Sequence, residues 1–305
     1  MPNSSKRYTK AGLVIGAAFG LSMAAAAAVA APAAWCPKDG PVRFGVEPYE
    51  ATAVLAPLYD EFGKLLSAKL GCPVKIQITT TYTTEIEAMR QGKLEVAELG
   101  PFGYELAKKE VPGLAAVAQF GDDSGKPVTY WASIVTWKGS GINSLKDLQG
   151  KSFAFADTAS TSGYLMPAYG MKSAGLDAKK DVKGMFAGTH TASFEALRNH
   201  KVQAGELNSD TLALAKLKGW WKEDDYVTLW RSKPLPLDAI VIDPKLKDPL
   251  RQHLVDALQS LQLAPPMNKE AFKVMGDASR LVPATDASYQ VISDVMREMH
   301  VSQSM

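Results

Sequence analysis

Cysteine and histidine are scarce in this sequence. The chain of 305 residues contains two cysteines and four histidines, and neither C-x-x-C nor H-E-x-x-H spacing occurs. These are two of the motifs that signal metal sites. The G-x-S-x-G turn that presents the nucleophile of α/β-hydrolases is also missing. The absences argue against a metal centre and against that hydrolase chemistry, so we expect a protein that is not an enzyme and has no cofactor.

A strong charge of either sign is also missing. Lysine and arginine number 34 against 32 acidic residues, for a formal net charge of +2. Three of the positive charges, Lys6, Arg7 and Lys10, lie in the first 31 residues, which contain no acid. Without that segment the formal charge is −1. Nucleic acids are bound through clustered basic surface, so the composition argues against such a partner.

Only one apolar run is long enough to approach the thickness of a membrane. It extends from Ala11 to Ala31, directly after the basic residues at the amino terminus. Small residues that form A-x-A cleavage patterns lie around Ala28 to Ala34. This pattern predicts a secretory signal peptide over 1–34 and export to the periplasm. A retained membrane anchor is the alternative, because the run is about long enough to span a bilayer.

The two cysteines precede two predicted strands. Cys36 comes before "VRFGV" and Cys72 before "VKIQITT". Adjacent parallel strands would place both thiols at one edge of a sheet, close enough to bridge in an oxidising compartment. We expect a Cys36–Cys72 disulfide. The alternatives are two unpaired thiols or a soft-ligand site built on Cys72.

From residue 42 onward, short runs rich in Val, Ile and Phe alternate with segments of helical apolar period. This order is typical of βαβ units and predicts an α/β fold with mostly parallel sheets and helices on both faces. Strands are predicted at 42–47, 73–79, 94–98, 114–119, 152–156, 183–187, 202–207, 227–230 and 238–242. Helices are predicted at 52–69, 83–91, 101–109, 161–174, 191–199, 209–217, 247–261, 268–277 and 286–298.

Two stretches, 126–142 and 229–243, are predicted to cross between lobes. The first is a long β-rich run, and the prolines of "LWRSKPLPLDAIVID" give the second an extended path. We therefore expect one lobe from 35–128 and 238–305 and a second from 129–237. Ligands of open α/β sheets bind beyond the carboxyl ends of the strands, which places the ligand between the lobes.

The segment "DTASTSG", 157–163, follows a predicted strand and opens a helix. A helix amino terminus combines free N–H groups with a positive dipole end, and so favours anions. Three adjacent hydroxyls, on Ser160, Thr161 and Ser162, can donate further hydrogen bonds, and Gly163 admits a ligand to the backbone. An ordinary helix cap is the alternative, although one hydroxyl suffices for it.

Four segments together resemble a known family. "STSGYLMPAY", "ELGPFGYELA", "GTHTASFEAL" and "PLPLDAIV" look like the periplasmic phosphate, phosphite and phosphonate-binding proteins of ABC importers, in the right order over roughly 42 to 295. The resemblance implies a two-lobed type II periplasmic-binding fold. It also implies a small phosphorus oxyanion as ligand and a permease in the inner membrane as partner. We expect a monomer.

The resemblance implies a role for each matching position. The three hydroxyls of 160–162 would hold the oxyanion, and His190 would donate a hydrogen bond to it. Tyr82 at the mouth of the first lobe, and Tyr49 and Leu99 at the ends of its strands, would also contact the ligand. Asp210 and Asp238 fall where aminophosphonate binders place carboxylates for the ligand's ammonium. Alternatively, such an aspartate accepts the proton of a monoprotonated oxyanion and refuses an anion that has none.

Several of these residues have plainer interpretations. His190 could form only a structural hydrogen bond, and Asp210 could be a first-turn acid that interacts with the helix dipole. Tyr82 could be an ordinary surface residue and Tyr49 an ordinary loop residue. Glu98 departs from the family, whose aminophosphonate binders carry aromatic residues at this strand end, and a carboxylate is unexpected beside an anion.

Three functions compete at this stage. The first is capture of a phosphorus oxyanion for an importer. The second is a receptor that reports an oxyanion such as arsenite to a sensor kinase, for which neutral arsenite would need a thiolate such as Cys72. The third is an enzyme with Ser160, His190 and Asp238 as nucleophile, base and orienting acid. The three adjacent hydroxyls favour an anion cradle over a nucleophile.

Overall fold

The computed structural model describes residues 32–263, 267 and 277–301. Most of the predicted signal peptide and of the predicted helix 268–277 lies outside the described residues. Within them, no helix is both long and apolar enough to cross a membrane.

Two sheets carry the fold. The first has six strands in the order β13-β4-β12-β3-β1-β2, and the second has five in the order β10-β6-β9-β7-β8. A short pair, β11-β5, accompanies the crossings. The strands are β1 (Val42–Val46), β2 (Val74–Ile78), β3 (Val96–Leu99), β4 (Ala116–Gly121), β5 (Thr129–Tyr130), β6 (Ala132–Trp137), β7 (Ser152–Phe155), β8 (Lys183–Phe186), β9 (Ala204–Asn208), β10 (Tyr226–Arg231), β11 (Leu235–Pro236), β12 (Ala239–Ile242) and β13 (Arg280–Pro283).

Helices connect the strands. They are α1 (Thr52–Leu70), α2 (Tyr82–Arg90), α3 (Pro101–Glu110), α4 (Met166–Ser173), α5 (His190–Arg198), α6 (Ser209–Leu217), α7 (Leu250–Gln259) and α8 (Gln290–Glu298). A π-helical turn, Thr161–Leu165, precedes α4, and 3-10 turns occur at Leu145–Leu148, Glu223–Asp225 and Asp286–Tyr289. The predicted helix 286–298 is therefore a 3-10 turn followed by α8.

The core of the first lobe follows from the sequence pattern. Helix α1 buries Leu55, Tyr59, Phe62 and Leu66, which are spaced at helical intervals along one face. Strand β1 lies between β2 and β3 and is buried along almost its whole length, as a central parallel strand is expected to be.

The sheets are mixed and not mostly parallel as predicted. Strands β1, β2 and β3 run parallel, but β12 runs antiparallel to both β3 and β4. In the second sheet β6 is antiparallel to β9 and β10. The reason is the crossings: β6 and β12 enter their sheets from the other lobe, without the helical crossover that a parallel neighbour needs.

Cys36 and Cys72 form a disulfide with their Cα atoms 5.4 Å apart, so the predicted pairing is confirmed. Strands β1 and β2 pair with Val42 opposite Val74, and this register brings the preceding segments together at one sheet edge. Neither cysteine is free. The unpaired-thiol and soft-ligand alternatives are wrong, and the arsenite receptor lacks the thiolate it would need.

Candidate functional site

A cavity of about 60 Å³ lies where the carboxyl ends of strands from both sheets meet. Its walls come from both lobes. The lining residues are Glu47, Tyr49, Glu50, Tyr82, Glu98, Gly100, Phe120, Tyr130, Ser160, Thr161, Ser162, His190, Asn208, Asp210, Thr211, Leu214, Leu237 and Asp238. A cavity of this size has room for a few water-sized groups, and so for a small guest.

The segment 157–163 opens its helix at this cavity. Strand β7 ends at Phe155, and Ser160 caps the next turn by accepting a hydrogen bond from the Gly163 N–H at 3.1 Å. The Leu165 N–H donates to the Ser160 carbonyl, a span of five residues that widens the first turn into a π-helix. Such π-turns inside helices are frequent at functional sites. The first-turn N–H groups have no partner within the helix, so this end carries partial positive charge.

Each of the three hydroxyl oxygens already accepts a hydrogen bond from a nitrogen. Ser160 Oγ accepts from Gly163, as above. Thr161 Oγ1 accepts from the Phe102 N–H of the first lobe at 2.8 Å. Ser162 Oγ accepts from Asn208 Nδ2 at 3.3 Å. Because a hydroxyl has one proton, each can still donate that proton to a guest. All three residues are buried.

Gly163 is required by close packing and not by an unusual φ. A Cβ at this position would lie 2.5 Å from Ala156 Cβ, 2.8 Å from Ser160 Oγ and 3.0 Å from His190 Cε1. Real Cβ contacts are not that short. The glycine therefore lets the capping serine and the histidine approach the helix end.

His190 is the cationic candidate of the site. Its Nε2 lies 3.3 Å from Ser160 Oγ, and its Nδ1 lies 3.1 Å from Glu206 Oε2. Burial is the largest single influence and lowers the pKa of His190, but Glu206, together with Glu50 and Asp210, raises that pKa above its ordinary value. A protonated imidazole donates from both nitrogens and suits an anion. We call Ser160, Thr161, Ser162, His190 and Asn208 the hydroxyl wall.

The geometry does not fit the enzyme alternative. Glu206, and not Asp238, contacts the imidazole of His190. The raised pKa of His190 favours the protonated ring, whereas a general base must be unprotonated. No group of three or more metal-ligating side chains occurs in the part of the chain that the structure describes.

Two buried tyrosines complete the neutral donors. Tyr82 begins α2 and Tyr130 lies in β5, and both line the cavity. Burial raises the pKa of each phenol, that of Tyr82 well above its ordinary value, so both stay protonated and can donate. The sequence predicted Tyr82 as a ligand residue but missed Tyr130, although it lies in the first predicted crossing.

Asp210 and Asp238 both line the cavity, as predicted. Asp210 lies in the first turn of α6, and burial raises its pKa to about 7. Asp238 directly precedes β12, and burial raises its pKa to about 6. Near neutral pH each can therefore hold a proton or share one.

Besides Glu50, which lines the cavity, and Glu206, which contacts His190, three buried glutamates near the site were not predicted as ligand residues. Glu47 follows β1, Glu85 lies in α2 and Glu98 lies in β3. Burial raises the pKa of each carboxyl group well above its ordinary value. The Gly100 N–H donates to Glu47 Oε2 at 2.9 Å, and the Tyr59 hydroxyl donates to Glu98 Oε1. The sequence signal for Glu47 was an acid directly after a buried strand.

The remaining two predicted residues differ in outcome. Tyr49 lines the cavity. Its backbone carbonyl accepts a hydrogen bond at 3.1 Å from the backbone N–H of His190 in the other lobe. Leu99 is fully buried in the core and does not line the cavity. Successive strand residues point to opposite faces, so Glu98 and Gly100 reach the cavity and Leu99 does not. The placement of Leu99 among the ligand residues is corrected accordingly.

The comparisons with known proteins agree with this architecture. Residues 44–289 match the family model described as the periplasmic substrate-binding protein of a phosphonate ABC transporter. The chain is 29% identical to the phosphate-import protein PhnD of Mycolicibacterium smegmatis, over 81% of this chain and 82% of that protein. It is 27% identical to the phosphonates-binding periplasmic protein of Escherichia coli, over 70% of this chain and 64% of that protein.

A solved structure shows the same fold. PhnD1 of Prochlorococcus marinus, solved in complex with methylphosphonate, superposes with a TM-score of 0.72 at 23% identity, over 85% of this chain and 98% of that one. The predicted two-lobed fold is thereby confirmed. The matched family consists of solute-binding proteins and not of enzymes, and its model covers most of the chain. The chain belongs to the family of periplasmic substrate-binding proteins of phosphonate ABC transporters.

Proposed function

We propose that this protein captures a small phosphorus oxyanion, namely a phosphonate, phosphite or phosphate, against the hydroxyl wall. One observation carries the proposal. The three hydroxyls at a helix amino terminus each accept a hydrogen bond from a protein nitrogen, so their O–H protons, which otherwise face the phenols of Tyr82 and Tyr130, can be donated to one guest. A tetrahedral oxyanion is a small group that carries several acceptor oxygens, so it can accept hydrogen bonds from several neighbouring donors at once. Helix amino termini favour such anions.

The raised pKa of His190 supports an anion as guest. Its imidazole contacts both Glu206 and Ser160, so a proton on Nε2 lies beside the hydroxyls. Charge-assisted hydrogen bonds are stronger than neutral ones, and they count for more where water is excluded. Two relatives are named for phosphate import and for phosphonate binding, and these names point to the same ligand class.

Hydrogen bonds between the lobes support capture by closure. The Phe102 N–H donates to Thr161 Oγ1, and the Thr191 hydroxyl donates to Glu50 Oε1 at 2.7 Å. Each bond joins a residue of the first lobe to a residue at the beginning of a helix in the second lobe. Closing two lobes around a ligand is the mode of periplasmic binding proteins. The closed, loaded monomer would then be presented to an inner-membrane permease of an ABC importer.

Calorimetric titration of the exported protein tests the ligand class. Phosphite, phosphate, methylphosphonate and aminoethylphosphonate form the panel, and acetate serves as an anion without phosphorus. We expect at least one phosphorus oxyanion to bind about 100-fold more tightly than acetate, since several charge-assisted bonds are involved. A panel in which no phosphorus oxyanion binds would overturn the proposal.

We also propose that residues 1–34 direct export to the periplasm. Expression of the full chain in a Gram-negative host, followed by mass spectrometry of the periplasmic fraction, gives the new amino terminus. Cleavage between Ala28 and Trp35 is expected. An uncleaved chain in the membrane fraction would contradict export by a cleaved signal and support the anchor instead.

A further inference from the structure

A second cavity lies in the second lobe, away from the site described above. It has a volume of about 630 Å³, within the range of about 300–1,000 Å³ that is usual for small-molecule clefts. Helices α5 and α6 begin at the ligand cavity, to which they contribute His190 and Asp210. The second cavity lies at the other end of both helices, against Arg198 and Gly219. A helix of this length spans about 13 Å, so the two cavities are separate.

Three aromatic side chains line this cavity, which we call the aromatic groove. They are Trp137, Trp220 and Tyr226, and each is only partly buried. Strands β6 and β10 pair with Trp137 directly opposite Tyr226, so these two side chains lie on the same face of the sheet. Aromatic side chains that line a cleft are the usual binding surface for the apolar part of a ligand.

The rings of the aromatic groove are held in place by their neighbours. Trp221 stacks on Tyr226 with ring centroids 4.4 Å apart, and the Phe194 ring lies 5.7 Å from Tyr226. The backbone N–H of Lys138 donates to the Asp225 carbonyl at 2.7 Å and joins the two strands beyond their last pair. The groove is therefore preformed, and a ligand loses little affinity to ordering it.

Charges of both signs surround the rings without neutralising each other. Lys138, Lys222, Asp224 and Asp225 line the groove, and none of the four forms an ion pair with a residue that the structure describes. An anion would meet the two carboxylates, and a cation would meet the two ammonium groups. A neutral ligand that both donates and accepts hydrogen bonds can use all four side chains, and a hydroxyl group does both.

Trp220 holds a further donor beside the groove. The guanidinium carbon of Arg198 lies 5.0 Å from the centroid of the Trp220 ring, and Lys218 Nζ lies 4.6 Å from it. Cation–π contacts of this kind fix a long side chain against an aromatic ring. The stacked Arg198 therefore presents its N–H groups next to the rings, whereas Trp137 and Tyr226 supply the apolar surface.

His200 lines the groove in a backbone conformation that usually belongs to glycine. It follows the end of α5 with a φ of 54°, in the left-handed region where helices commonly end on glycine. Its imidazole meets the Trp137 ring edge to face, with the ring centroids 4.9 Å apart. An unfavourable conformation that persists points to a use for the side chain, and an imidazole can both donate and accept a hydrogen bond.

We propose that the aromatic groove binds a neutral oligosaccharide, with sugar rings against Trp137 and Tyr226 and sugar hydroxyls on the surrounding charged side chains. A pyranose ring has a face of C–H groups that suits an aromatic surface, and a rim of hydroxyls that donate and accept. The inference goes beyond the proposed function. Because the groove lies at the far ends of α5 and α6, capture of the oxyanion does not depend on it.

Tryptophan fluorescence of the exported protein tests the inference, because Trp137 and Trp220 line the groove and report on a ring placed against them. Cellotriose, maltotriose and the trimer of N-acetylglucosamine are titrated up to about 10 mM, and we expect at least one to bind with a Kd of about 1 mM or lower. Phosphatidylethanolamine vesicles are a second probe, because a zwitterionic headgroup also carries both charges. Binding to the vesicles without binding to a trisaccharide, or binding to neither, would overturn the inference.

Two substitutions localise the binding. Trp137→Ala removes a ring, and His200→Gly removes the imidazole from a backbone position that suits glycine. Each should weaken trisaccharide binding about tenfold, and His200→Gly should unfold at nearly the wild-type temperature. Trp131→Ala is the matched control, since Trp131 is a partly buried tryptophan directly before β6, lies 3.9 Å from the Arg231 guanidinium and does not line the groove. Its trisaccharide affinity should equal the wild type's.

Oxyanion titrations separate this inference from the proposed function. Trp137→Ala and His200→Gly should bind the phosphorus oxyanion as the wild type does, which also shows that they are folded. Weaker trisaccharide binding in both supports the groove even if no phosphorus oxyanion binds the wild type. If a trisaccharide binds and both variants keep the wild-type affinity for it, the groove is not its site and the inference is wrong. If Trp137→Ala does not fold, His200→Gly decides.

Discussion

The two walls of the cavity bury polar groups in opposite ways. In the hydroxyl wall each hydroxyl oxygen has a protein donor, the helix end adds partial positive charge, and the raised pKa of His190 favours its charged form. We call the cavity-lining acids Glu47, Glu98 and Asp238 the carboxyl wall. In this wall one oxygen each of Glu47 and Glu98 has no partner among the described residues. The comparison teaches that the hydroxyl wall is complete as a donor set, whereas burial raises the pKa of the carboxyl groups in the other wall and so favours their protonated form.

Gly163→Ala should have the largest effect on the hydroxyl wall. The added Cβ would lie 2.5 Å from Ala156 Cβ and 2.8 Å from Ser160 Oγ, so the capping serine must move. Overpacking of this kind costs roughly 1–3 kcal/mol, and we expect anion affinity to fall about 100-fold. Calorimetry measures the affinity.

Gly205→Ala is the control for that substitution. Gly205 lies in β9, and its added Cβ would make contacts of 3.5 Å or longer, which are ordinary. Thermal unfolding of both variants separates a folding defect from a binding defect. If Gly163→Ala folds and binds as the wild type does, close packing at the helix end is not required.

Ser162→Ala should weaken anion binding by about 1–3 kcal/mol, which is roughly 5- to 150-fold. The substitution removes one O–H donor and also strands Asn208 Nδ2, which donates to it. Ser173→Ala is the matched control because Ser173 lies on the same helical segment and its hydroxyl bonds the Gly170 carbonyl at 2.6 Å, outside the cavity. Equal affinities for the two variants would argue against the hydroxyl wall.

His190→Gln tests the charge of that wall. The pKa of His190 is raised, so the wild-type ring is charged below that pKa and loses its charge as pH rises through it. We expect the wild type to bind about tenfold more tightly than the variant at pH 6, with the advantage shrinking by pH 9. A ratio that stays constant over that range would mean that the imidazole acts only as a neutral donor.

Cys72→Ser should leave anion affinity unchanged. The disulfide lies at the amino ends of β1 and β2, at the opposite end of those strands from the cavity. Closing a loop of this length stabilises a protein by roughly 2–4 kcal/mol. The variant should therefore unfold at lower denaturant concentration while its calorimetric titration matches the wild type. A loss of affinity in a folded variant would show that the two ends of the sheet are coupled.

The hydroxyl wall could be predicted from the sequence because its chemistry is local. Ser160, Thr161 and Ser162 are adjacent, follow a strand and begin a helix, and a helix amino terminus has the same electrostatics in any fold. His190 and Asp238 came from the resemblance to the family. Most strands and helices were placed within a few residues, since alternating apolar runs identify βαβ units, but β13 was missed.

The carboxyl wall could not be predicted in the same way. Glu47, Glu98 and Asp238 come from three chain segments that meet only when β12 returns from the second lobe to lie beside β3. Glu98 was noticed as a departure from the family, but the face it occupies depends on strand register, and a shift of one residue would have pointed Leu99 at the cavity instead. The mixed sheets were missed for the same reason, since strand direction depends on the crossings.

A crystal structure of the exported protein with its tightest-binding phosphorus oxyanion tests the central claim most directly. The account predicts anion oxygens within hydrogen-bond distance of Ser160, Thr161 and Ser162, at the start of the helical turn, with His190 beside them. An anion bound elsewhere in the protein, with these hydroxyls contacting only protein atoms, would contradict it.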